Sequence, residues 1–347
     1  MMDRLQWFER YGDYIIPPNR FQQGLSAFTE TGQAESPIPV LKQRFYTGRK
    51  SVIPSSLANV LCADIGIDEL LEKLNTILGT SYTLENRPLS SLLENYIAKG
   101  YDFGTVYAHL RPVWYNDLTT IENHLRTCEA RDREMRQDVL ANNRIITTMM
   151  PPRRVWHLYS NRVVPWWIAH QWPRAISHAW MEEKDCADVQ TPINGYRWSV
   201  SIPKGVNLNL IRIEMLNLGA EYVWLDVLCL RQAGGWREDL RVEEWKVDVP
   251  TIGWVYRSKT AACYFNGLGR PLSMNTCSFE SDRSWFRRAW TLQEFCRDLI
   301  IVRDTSNNGI VEGEIRVRYK QMSSLQSMQK EGDVFDMLSG CRRIRWI

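Results

Sequence analysis

The chain has 347 residues, enough for roughly two domains of ~150 residues each. Hydrophobic residues make up 44% and charged residues 24%, a globular composition that excludes a disordered or collagen-like chain. The net charge of +3 is too small to argue for nucleic-acid or polybasic membrane binding.

The first 60 residues show no sustained period. Residues 64–78 turn helical: Ile67, Leu70, Leu71, Leu74 and Leu78 fall at helical spacing, Asp64 can cap the start and Gly79 can end it. Residues 89–97 predict a second helix stopped by Gly100, and 117–142 a longer, heavily charged one. Residues 1–150 therefore read as a mostly helical N-terminal region. Met149-Met150-Pro151-Pro152-Arg153-Arg154 is the expected boundary, because paired prolines stop a helix and extend the residue before them.

After that boundary the composition shifts. Thirteen of the 15 tryptophans lie at or beyond Trp156; those at 156, 166, 167 and 172 favour core and interface packing, since no basic stripe interleaves them as base stacking would need. Short apolar runs now alternate with helices. Strands are expected at 175–178, 222–230, 260–265 and 299–302, and helices at 206–218, 238–256 and 284–296, with Pro250 kinking or splitting the second of these. The nearly continuous apolar run 222–230 reads as a central strand buried on both faces. This alternation predicts an α/β domain over 151–303 with a mainly parallel sheet flanked by helices. The tail, 304–347, carries a strand pattern at 314–319 and a helix around Leu325.

No apolar stretch near the N-terminus resembles a secretory signal, and no run approaches the ~20 apolar residues of a membrane span. The eight cysteines are scattered without a C-x-x-C pair, so no metal site is expected and the thiols should stay reduced, as in the cytoplasm.

In an open parallel sheet, ligands sit beyond the carboxyl ends of the strands. Three segments bring polar residues there. The first is Ser177-His178-Ala179-Trp180, where His178 is either a strand-end residue bonded to backbone or part of a site. The second runs from Trp224 to Gln232. Asp226 in that apolar run needs a partner, because a buried carboxylate loses its hydration. It either accepts backbone N–H bonds or shapes a cleft. Cys229 reads as a small buried hydrophobe, with a nucleophilic role beside His178 as the minor alternative. The third is Arg283 to Glu294, where Trp290 and Glu294 share a helix face at i, i+4. On spacing alone Glu294 is a solvated or arginine-paired glutamate. Asn266-Gly267-Leu268-Gly269 is a turn, since it lacks the third glycine of a dinucleotide fingerprint.

Taken together, these segments resemble the fungal heterokaryon-incompatibility (HET) domain. That family carries a strand ending Ser-Tyr-x-Trp-Gly, a Trp-x-Asp-x-x-Cys-Ile-x-Gln block, an Ile-Tyr helix, a hydrophobic strand and Arg-x-Trp-x-x-Arg-x-Trp-Thr-x-Gln-Glu. The matching residues are Ser177, His178, Trp180 and Met181; Trp224, Asp226, Cys229, Leu230 and Gln232; Val255-Tyr256; Cys263 to Gly267; and Arg283, Trp285, Arg288, Trp290, Thr291, Gln293 and Glu294. His178 stands in place of the usual Tyr and Met181 in place of the Gly. The resemblance covers about 160–303.

It implies a role in non-self recognition and regulated cell death, working through protein partners or self-assembly with no required cofactor. It also implies distant similarity to Toll/interleukin-1 receptor (TIR) domains, which are flavodoxin-like. Enzymatic TIR domains cleave NAD with a helix glutamate in a Trp-x-x-x-Glu setting, the spacing of Trp290 and Glu294. An NAD glycohydrolase using Glu294, with NAD as substrate, is therefore the alternative. An inactive, truncated paralogue is a third reading, because the family continues with further helices beyond the domain.

Overall fold

The computed structural model describes residues 2–15, 52–258, 261–264, 267–270, 285 and 299–301. The expected helix 284–296 (apart from Trp285) and the tail 304–347 lie outside them.

The N-terminal region is mostly helical. Its helices are α1 (Arg4–Ile15), α2 (Ser55–Ala58), α3 (Cys62–Leu78), α4 (Arg87–Ala98), α5 (Phe103–Leu110) and α6 (Ile121–Asp138). They are followed by a two-stranded hairpin, β1 (Leu140–Ala141) with β2 (Arg144–Ile145). Two helices show why their ends fall where they do. Asn86 accepts from the Leu89 N–H and Asp102 from the Thr105 N–H, satisfying first-turn donors of α4 and α5. Within α3, Gly66 stands at φ 74° and ψ 173°, a conformation closed to other residues, so the regular helix begins beyond it. The unforeseen α1 buries Trp7, Tyr11, Tyr14 and Ile15, one amphipathic face built largely of aromatics.

The α/β part contains β3 (Arg154–His157), β4 (Arg162–Pro165), α7 (Trp166–Ala169), β5 (Arg174–His178), β6 (Cys186–Val189), β7 (Val200–Pro203), α8 (Leu208–Asn217), β8 (Tyr222–Trp224), α9 (Asp226–Cys229), α10 (Asp239–Ser258), β9 (Ala261–Tyr264) and β10 (Leu299–Ile301). The main sheet has the order β10-β9-β5-β8-β3-β4. The pairs β10/β9, β9/β5 and β5/β8 are parallel; β8/β3 and β3/β4 are antiparallel. The sheet is therefore mixed, with three of its five strand pairings parallel. The strands β6 and β7 form a separate antiparallel hairpin.

Two strands of the main sheet, β3 and β4, escaped the sequence reading, and each starts with arginine. Arg154 and Arg162 are nevertheless buried, each against a distant carboxylate. Arg162 binds both oxygens of Asp102 and the carbonyl of Ala58, tying β4 to α5 and α2. Arg212 of α8 donates to the carbonyls of Ile53, Leu158 and Tyr159.

The run 222–230 is not one strand. It is the short strand β8 followed by one helical turn, α9. The Asp226 carboxylate accepts the N–H of Val227 at 2.8 Å, a local bond that competes with continued strand geometry. Pro250 does not split α10, which runs continuously through it.

One hydrophobic core runs from Trp7 to Leu268. Packing is continuous through the segment around Pro151, whose carbonyl, like that of Pro152, accepts from Arg136 of α6. Trp7, Trp114, Trp156, Trp166, Trp198, Trp224 and Trp285 are all buried, so the tryptophan excess is mainly core. Each such side chain removes about 200 Å² from water, on the order of 5 kcal/mol before chain entropy is charged against it. Among the described residues no helix is long and apolar enough to cross a membrane.

Candidate functional site

The parallel strands β5, β8 and β9 end side by side. In register, Ser177 faces Cys263 and His178 faces Tyr264. Beyond Trp224, the chain leaves β8 through Leu225 into α9, which puts Asp226 at that same edge.

His178 Nε2 lies 2.9 Å from Asp226 Oδ1, and His178 Nδ1 lies 3.3 Å from the Ala179 carbonyl. Both partners are acceptors, and a neutral imidazole has one N–H, so it can serve only one of them. Asp226 also accepts from Val227 N–H, so its charge is met by a side chain and by backbone together. Of the two readings of Asp226 left open by the sequence, the bonded one is observed, and the residue lies next to the strand ends.

The third segment reaches this edge through Trp285, whose indole N–H donates to Ser177 Oγ at 2.6 Å. Both residues are buried. Trp180, by contrast, is 47% exposed and stands at the rim. Met181 lies over Gly267. A Cβ on that glycine would come within 2.8 Å of the Met181 sulfur, and its φ of 105° is one that side chains rarely adopt.

Cys229 and Gln232 stand close in sequence to Asp226 but serve the scaffold. Cys229 closes α9, is 1% exposed, and burial pushes its thiol up to about 12. It remains a thiol near neutral pH and is no activated nucleophile. Gln232 donates to the carbonyl of Leu230 at 2.9 Å, bracing the loop that leaves α9. Glu294, Arg288 and Trp290 lie outside the described residues.

One carboxylate at this edge escaped the sequence reading. Tyr264, the last residue of β9, donates its hydroxyl to Glu214 of α8 at 2.6 Å. Burial raises the Glu214 carboxyl, and the Tyr264 bond offsets part of that rise. The signal lay in Ile211-Arg-Ile-Glu214-Met215, a glutamate inside a largely apolar helix.

A cavity of about 430 Å³ lies elsewhere, between the start of α8, Asn161 and the segment 189–193, and contains none of the predicted site residues. Among the described residues, no group of three or more His, Cys, Asp or Glu side chains is arranged to hold a metal.

Comparison with family models, with curated proteins and with solved structures finds no match. The functional reading therefore rests on the residues and their geometry.

Proposed function

We propose that this chain is a heterokaryon-incompatibility-type signalling module, acting in the fungal cytoplasm through protein partners or self-assembly to trigger regulated cell death. The observation that carries the reading is the convergence of separated motif blocks. The Ser177–Trp180 and Trp224–Gln232 blocks are joined by the His178–Asp226 contact at 2.9 Å, and the third block is tied to the first by Trp285 and Ser177. The strand order also supports a flavodoxin-like, TIR-like core. The parallel strands alone, numbered along the chain, run second, first, third, fourth across the sheet. In doubly wound folds with that order, ligands gather where it reverses, between the first and third strands, here β5 and β9. The β3–β4 hairpin, in which β3 alone runs against the other strands, is an addition to that core.

Inducible expression of the full chain in a filamentous fungus tests the proposal. The wild-type chain should kill cells scored by a vital dye, and Asp226→Asn at equal protein level should not. Full viability with the wild-type chain, or equal killing by the variant, overturns it.

The second reading is an NAD glycohydrolase. It is favoured by the Trp285–Ser177 bond, because Glu294 follows Trp285 by nine residues in sequence. A carboxylate beside the ribose would stabilise the oxocarbenium-like charge that develops as the glycosidic bond breaks. Purified chain incubated with NAD decides between the two. Nicotinamide release abolished by Glu294→Gln establishes the enzyme, whereas killing without release supports the binding module. Absence of both activities identifies an inactive paralogue.

A further inference from the structure

We propose that Tyr196, Arg197 and Trp236 form a docking platform for an acidic peptide segment of a partner protein. This surface is separate from the strand-end site and does not rest on the functional reading above.

Two loops build it. The first, after β6, carries Tyr196 and Arg197; the second, after α9, carries Trp236. Both aromatic side chains are displayed to solvent, Tyr196 at 62% and Trp236 at 65%. Tyr196 also sits at φ 56°, in the left-handed region that a bulky residue seldom occupies. The loops are clamped to each other. Trp236 N–H donates to the Arg197 carbonyl at 2.7 Å, and Arg231 Nη1 donates to the Trp236 carbonyl at 2.7 Å. Gly235 allows the approach: a Cβ there would meet the Arg197 carbonyl oxygen at 2.5 Å and Trp198 Cβ at 2.6 Å. Behind the loops lies Trp198, buried between the guanidiniums of Arg154 and Arg231 at 5.2 and 5.6 Å from its ring. The display is therefore held in place before any partner arrives, which lowers the entropy lost on binding.

Charge selects the partner. Arg154 and Arg231 share one carboxylate, Glu244. Arg197 is exposed and forms no ion pair or side-chain hydrogen bond. The acids nearest in sequence are already engaged, Asp239 by Arg237 and Glu238 by Arg241 and by the Gly234 N–H. The Arg197 charge is felt inside the protein, where burial together with Lys99 and Arg197 holds the His109 imidazole down at about 3; burial and the neighbouring Arg154 in turn lower Arg197 itself. Arginine, tyrosine and tryptophan are the residue types most enriched at binding hot spots, and Arg197 is next to Tyr196 in sequence and joined to Trp236 through the backbone. Its complement is a segment offering carboxylates to Arg197 and an apolar or aromatic side chain to the two rings.

Panning a phage-displayed random dodecapeptide library on the full-length chain tests this, with R197Q and W236A panned in parallel. Matched melting temperatures confirm that all three are folded. The expected result is an Asp/Glu-containing consensus on wild type that is lost on R197Q and depleted at least tenfold on W236A. No consensus, a consensus free of acids, or one equally enriched on R197Q overturns the proposal. So does salt-sensitive binding of fluorescein-labelled oligo-dT without an acidic peptide consensus, which assigns the surface to nucleic acid instead.

Discussion

Glu244→Gln tests the buried ion network that fastens α10 to the sheet. Glu244 receives Arg154 at 2.6 Å and Arg231 at 3.1 Å, and the side chains of all three are about nine-tenths buried or more. Burial alone would raise the Glu244 carboxyl. The two guanidiniums outweigh it and hold the group at about 2, against an ordinary 4.5. At about 1.4 kcal/mol per tenfold change in proton affinity, that difference contributes roughly 3 kcal/mol near neutral pH. The glutamine variant loses this term and leaves two buried cations facing each other, so a loss of about 3–5 kcal/mol is expected. The pH dependence has a definite sign. The folded-state value is depressed, so the contribution is complete above about 4.5 and declines as pH falls toward about 2. Urea unfolding followed by tryptophan fluorescence should therefore show a large gap between wild type and variant near neutral pH. By about pH 3.5 the linked contribution should fall to roughly 2 kcal/mol. Glu134→Gln is the control: its partner Arg10 and Glu134 itself are both more than half exposed, and the change should cost under about 0.5 kcal/mol. A Glu244→Gln chain within about 1 kcal/mol of wild type, or a gap that widens in acid, would refute the reasoning.

Asp226→Ala removes the partner of His178 and the acceptor for Val227 N–H, and should cost about 1–3 kcal/mol in urea unfolding; Asp226→Asn keeps an acceptor oxygen and should recover part of it. A neutral alanine variant would mean that the contact carries no weight. Gly235→Ala forces a methyl against the Arg197 carbonyl and should destabilise by about 1–3 kcal/mol, read as a lowered unfolding midpoint; an unchanged midpoint would show that the two loops do not abut. With its thiol pushed up to about 12 by burial, Cys229 should resist iodoacetamide at mildly alkaline pH in the native chain and react only after denaturation. Peptide mass spectrometry reads the difference, and rapid native labelling of Cys229 would contradict its burial.

Much of the secondary structure was legible because local pattern and burial agree. The helical spacing of Leu70, Leu71, Leu74 and Leu78 marks α3, and the same four side chains are its buried face. The apolar stretch around Cys263, closed by a glycine, is β9. The misreadings have physical causes. An unbroken apolar run is equally suited to a strand or to a buried helical turn, so 222–230 could not reveal the change from β8 to α9 at Asp226. The arginines of β3 and β4 looked like surface residues because their carboxylate partners, Glu244 and Asp102, lie 90 and 60 residues away. Those two strands are also the ones that make the sheet mixed.

The candidate site divides in the same way. Sequence alone determined that Ser177 and His178 fall where a strand ends and that Asp226 interrupts an apolar run, where a polar residue must find a partner or water. Only the tertiary structure decided which partners those are. Strand order sets β5 between β8 and β9, and that adjacency brings His178 to Asp226 across 48 residues and makes Tyr264 its neighbour in register. It also decided that Glu214, unremarked in a helix, bonds to Tyr264 at the end of β9. Hydrophobic periodicity is a property of a few consecutive residues and survives in the one-dimensional record. Hydrogen bonds and ion pairs between distant residues arise only when the sheet order closes the intervening chain, so their geometry belongs to the fold.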